Sequence, residues 1–95
     1  MKLFLISQNE NNRYDTYDSA VVVAANSDEA RLIHPDGYTI WLEYRWVWGH
    51  ANGEFRDASS DGTWTVPAKV SAEYIGEAAE HLSVGAIVCS SFNAG

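Results

Sequence analysis

Three consecutive valines, Val21, Val22 and Val23, lie in a nine-residue run from Tyr17 to Ala25 that ends just before a helix-start signal. β-Branched side chains in series lose rotamer freedom in a helix and pack well on a pleated sheet, so this run specifies a strand. Immediately after it, Asn26 or Ser27 is able to cap a helix. Asp28 and Glu29 favour the positive end of the helix dipole, and Glu29 stands three positions after Asn26 as in a capping box. Pro35 forbids continuation past His34, so the spacing predicts a short helix over residues 27–34. Ala30, Ile33 and Leu32 would pack on the sheet while Arg31 points away. This is folding code rather than chemistry, because its residue types build a core.

The remaining elements follow from that frame. Leu3, Phe4, Leu5 and Ile6 form an apolar run that suits a central strand over residues 2–7, pairing as an antiparallel hairpin with the valine strand. Residues 8–15 read as a polar loop. From residue 38 to residue 48 aromatics are dense, and the alternation favours one strand with Leu42, Tyr44, Trp46 and Trp48 on one face and Trp41, Glu43, Arg45 and Val47 on the other. A helical reading instead groups Trp41, Tyr44, Arg45 and Trp48. Residues 49–62 read as turns around a short segment at Phe55, and Trp64, Thr65 and Val66 as the start of an edge strand before Pro67. Val70, Ala72 and Tyr74 alternate with Lys69, Ser71 and Glu73 as a strand ended by Gly76. Residues 77–82 read as a helical turn or loop, and residues 84–92 as the last strand. The expectation is a single α+β domain over residues 1–95, an antiparallel sheet of four or five strands with one short helix on a face.

Charge narrows the function classes. Six basic residues against thirteen acidic ones give a formal charge of −7, which argues against a phosphate-binding surface. An acidic surface is able to mimic nucleic acid in a basic groove of another protein, although most acidic small proteins are simply soluble. Cys89 is the only cysteine, so no internal disulfide forms and a reducing cytosol fits. The apolar start of the chain gives way to polar residues at Ser7, short of a signal peptide, and no stretch approaches the length of a membrane span.

No catalytic constellation stands out. His34, His50, His81 and Cys89 match no zinc-ligand spacing. His34 reads as a complement to the helix dipole and Cys89 as a buried, inert thiol in an apolar strand. Tyr14, Asp15, Tyr17 and Asp18 either form a polar contact site or flank a strand and solvate a loop. The set that exceeds the needs of a thin core is Trp41, Tyr44, Trp46, Trp48, Phe55 and Trp64: four tryptophans are many for this length. Surplus exposed Trp and Tyr serve interfaces as anchors, while the alternative is that they complete the core or a homodimer contact.

The order of motifs resembles a family of small proteins encoded by tailed bacteriophages and prophages. The residues that carry the resemblance are Met1-Lys2-Leu3-Phe4-Leu5, then Tyr14-Asp15-Thr16-Tyr17-Asp18-Ser19-Ala20-Val21-Val22 with Glu29-Ala30-Arg31 and His34-Pro35. Ile75-Gly76-Glu77-Ala78 and Ser91-Phe92-Asn93-Ala94-Gly95 complete it. Residues 38–63 depart from the family pattern. The resemblance implies a phage accessory protein in the cytoplasm of the host bacterium and supplies no activity, cofactor or metal. Together with the absence of a catalytic set, it leads to a protein-binding function, inhibition of a host protein such as a defence component, with residues 38–64 as contact surface. The alternative is a small-molecule or nucleotide sponge with an aromatic pocket.

Overall fold

A computed structural model describes residues 1–11, 14–49, 55–57 and 62–93 of the chain. In chain order the elements are β1 (Lys2–Ser7), β2 (Thr16–Ala24), α1 (Ser27–Ala30), β3 (Thr39–Leu42), β4 (Arg45–Gly49), β5 (Phe55–Asp57), β6 (Ser71–Glu77) and β7 (Ile87–Asn93), with a 3-10 turn at Pro67–Lys69 before β6. They make an α+β fold of two antiparallel sheets, one in the order β6-β1-β2-β7 and a smaller one in the order β3-β4-β5.

The valine run lies inside β2 and the first apolar run inside β1, and both strands are central, as their hydrophobicity on two faces requires. Alternation sends Phe4 and Ile6 of β1 and Ala20, Val22 and Ala24 of β2 to one face. There they join Ala30, Trp46, Trp64 and Val70 in a single buried cluster. Complete burial of Ile6 and Val22 contributes about 1.5–3 kcal/mol apiece. Gln8 organises the turn out of β1: its amide oxygen accepts from the Glu10 and Asn11 N–H groups at 2.8 Å, and its Nε2 donates to Tyr17 O at 2.9 Å. Asn11 in turn donates to Trp64 O at 2.8 Å.

The N-cap is present, Asn26 Oδ1 accepting from Glu29 N–H at 2.9 Å, while the Glu29 carboxylate reaches one residue further back than in a capping box and accepts from Ala25 N–H at 3.3 Å. The helix ends at Ala30 rather than at His34, because Leu32 and Ile33 tighten into i→i+3 bonds and Ile33 then bridges Ile40 of the second sheet. Arg31 does not point away. Its Nε donates to Val70 O at 3.1 Å, so a side chain bridges the two ends of the excursion that carries the second sheet. Leu32 is exposed, while Ile33 packs against the core.

Three further expectations change. Gly76 does not end β6 but lies inside it at a register shift against Leu3 and Phe4, with φ at 155°, a conformation that favours glycine. Trp64, Thr65 and Val66 form no strand. Residues 39–49 are two strands and not one: Glu43 and Tyr44, at φ 52° and 67°, turn the chain back on itself. The reversal pairs Trp41 with Trp46 and so places them on one face, where an unbroken strand would put them on opposite faces. The turns expected at residues 50–54 and 58–61 lie outside the described residues.

Candidate functional site

The aromatic insert divides into a buried half and an exposed half. Trp46 and Trp64 are only 3% and 4% exposed and belong to the main core, so they are not the exposed anchors their number suggested. Trp46 donates from Nε1 to Thr65 O at 2.9 Å and meets Trp41 edge to face at 5.1 Å. Trp41 and Trp48 are half-buried and pack on the same core. The indole N–H groups of Trp48 and Trp64 are buried without a hydrogen-bond partner among the described residues. The thin core of the larger sheet is thus completed by indoles from the second sheet and from the segment before the 3-10 turn.

His34 sits at the junction, 3% exposed. Its ring meets Trp46 edge to face at 5.1 Å, Tyr17 of β2 at 6.1 Å and Trp64 at 6.4 Å. It lies beyond α1, so the dipole reading gives way to a packing and hydrogen-bonding one. Nδ1 accepts the Asp36 N–H at 3.1 Å and lies 3.2 Å from Asp36 Oδ1, while Nε2 is 3.4 Å from Thr63 Oγ1. Asp36 also accepts from the N–H groups of Tyr38 and Thr39, at 2.9 and 2.8 Å, and from the Thr39 hydroxyl. Burial pushes the Asp36 carboxyl up, but the contact with the His34 ring and the hydrogen bonds from the Thr39 side chain and the two backbone N–H groups outweigh it and hold the carboxyl at about 2. Burial, and then the charge of Asp36, raise the Tyr17 phenol. The three-dimensional meeting of His34 with two sheets was not legible in the sequence.

What the insert exposes is a different set. Ile40 and Leu42 alternate along β3, Tyr38 immediately precedes it and all three are exposed, and Tyr44 follows at the hairpin tip, 92% exposed. Ile40 is paired with Val47 and Leu42 with Arg45 on the face opposite Trp41 and Trp46; Val47 is buried there, whereas Ile40, Leu42 and Arg45 are exposed. Tyr44 is held in left-handed backbone, which costs an L-residue about 1–2 kcal/mol, while burying almost none of its ring. Folding alone favours Asn or Gly there.

Tyr14 and Tyr17 do not form one site. Tyr14 is exposed, whereas Tyr17 packs edge to face on Phe92 at 4.8 Å and toward His34, with its N–H bonded to Thr63 O at 3.0 Å. Asp15 and Asp18 are exposed, and the Asp15 N–H donates to Asn93 O. The side chains of Phe55 and Arg56, and all of His50, lie outside the described residues. Cys89 is exposed on β7, which corrects the buried-thiol reading: β7 is an edge strand with water on its flank. His81 is exposed in a turn, and among the described residues no three His, Cys, Asp or Glu side chains converge as metal ligands.

On the other face of the larger sheet, Leu5, Ser19, Val21, Cys89 and Ser91 line a shallow depression of about 170 Å³. That is below the ~300–1,000 Å³ of ordinary small-molecule sites. Among the described residues, no helix is long and apolar enough to cross a membrane. No protein-family model matches this chain, and comparison with curated proteins and with solved structures finds no similar protein.

Proposed function

We propose that this chain is a small acidic phage accessory protein that acts in the cytoplasm of the host bacterium by binding a host protein, inhibiting a defence component or a similar target. The single observation that carries the binding reading is the exposed apolar stripe Tyr38, Ile40, Leu42 and Tyr44 on the β3–β4 hairpin, with Tyr44 in backbone that folding alone would give to another residue. Aromatic side chains presented on a short rigid hairpin suit a protein interface, since a Tyr supplies contact area with little rotamer entropy to lose. The phage assignment rests on the sequence resemblance, and the −7 charge favours a target with a basic surface. The sponge reading has less support, because the insert's buried aromatics pack edge to face against one another and His34.

The test is affinity capture from a bacterial host lysate with the native chain, a Leu42→Ser variant and a Tyr44→Asn variant. A specific protein should be retained by the native chain and lost from both variants while their circular dichroism is unchanged. Equal capture by folded variants, or no specific protein at all, overturns the reading.

A further inference from the structure

The two edges of the larger sheet differ. β6 carries Glu73 and Glu77, charges that discourage pairing with another strand, while both edge strands have a register shift, beside Gly76 in β6 and at Val88 in β7. β7 reads Ile-Val-Cys-Ser-Ser-Phe-Asn, without a charge or a proline. β2 is the only described element that β7 touches, and residues 88–92 are all exposed. Among the described residues, the backbone groups of residues 88–92 directed away from β2 thus form an open ladder template. On a chain of net charge −7, two copies repel except where a stretch free of charge lets them meet.

We propose that β7 is a homodimer interface, in which two copies pair antiparallel across a two-fold axis at Ser90 and join their larger sheets into one eight-stranded sheet. The strand is self-complementary about that residue. Ser90 opposes Ser90 of the second copy and Cys89 opposes Ser91, while Val88, the extra residue of a bulge, and Phe92 flank this contact in an isologous arrangement. The ladder to β2 shifts register between Tyr17 and Ser19 and between Val21 and Val22, which leaves Cys89, Ser90 and Ser91 as the regular stretch on which such pairing centres. A two-fold perpendicular to the sheet requires opposed residues to share a face, and pairing of Cys89, Ser90 and Ser91 about Ser90 meets that condition. The outer-face row Leu5, Val21 and Cys89 then continues into the second copy through its Ser91.

The experiment uses the purified full chain alone, so its outcome is independent of any host target. Analytical ultracentrifugation across a dilution series should give twice the 10.5 kDa mass of the chain. Val88→Lys, which places like charges into the contact, should give the single mass. Ile75→Lys on the β6 edge should leave the dimer intact. In a Cys89→Ser background, Ser90→Cys should form an intermolecular disulfide on mild oxidation, since directly opposed residues of antiparallel strands stand about 4.5–5.5 Å apart at Cα, within disulfide range. A monomer at every concentration overturns the proposal, as do a dimer that survives Val88→Lys, a dimer lost through Ile75→Lys, or absence of the Ser90→Cys cross-link.

Discussion

His34 Nδ1 lies 3.2 Å from Asp36 Oδ1 at the point where the two sheets meet, and the same carboxylate caps the turn into β3 through the N–H groups of Tyr38 and Thr39. An Asp two residues after a His thus fixes both the imidazole and the entry of the second sheet.

That relationship sets an acid limit. Asp36 ionises at about 2 in the folded chain against an ordinary value of 3.8, so its contribution to stability is fully present above about pH 4 and is lost as pH falls toward 2. Denaturant midpoints measured between pH 5 and pH 2 should fall for the native chain. Asp36→Asn should lower stability at pH 5 and show a shallower decline below pH 4. Parallel curves for the two proteins would contradict this.

Trp46 and Trp64 offer a matched comparison. Both are buried, but the Trp46 indole donates to Thr65 O while the Trp64 indole has no acceptor among the described residues. Trp46→Phe strands a buried carbonyl, whereas Trp64→Phe removes an unsatisfied donor. By urea denaturation the first substitution should cost about 1–3 kcal/mol more than the second.

The hairpin tip trades stability for exposure. Replacing Glu43 by Asn and Tyr44 by Gly supplies the residues that two positive φ values in a two-residue turn favour. Thermal unfolding should show a gain of about 1 kcal/mol. Capture of the host target should weaken in the same variant.

The cap of α1 is open to the same kind of measurement. Asn26→Ala should cost about 1 kcal/mol, since the Glu29 N–H loses its acceptor, and Asn26→Asp should cost little because the carboxylate accepts equally well beside the helix N-terminus.

Elements whose signals are local were legible in the sequence: the valine strand, the central first strand, their hairpin and the Asn26–Glu29 cap. The division of residues 39–49 was not, because Glu43 and Tyr44 are not the Gly or Asn that announce a two-residue turn, and the alternating aromatics read through it as one strand. The early end of α1 escaped because a tertiary bridge from Ile33 to Ile40 outweighed local helical preference. Within the candidate site, Tyr44 was identified from composition alone. Tyr38, Ile40 and Leu42 were missed because their exposure depends on which face of β3 meets the core.

The Arg31 guanidinium that bonds Val70 O marks where the chain departs from the larger sheet and where it returns. Such a narrow neck ordinarily identifies a removable appendage, but Trp46 and Trp64 lie beyond it and roof Phe4, Ile6 and Val22. Excision at the neck would leave an open half-core. The smallest autonomous unit is therefore the two sheets together, and they are expected to melt in one cooperative transition.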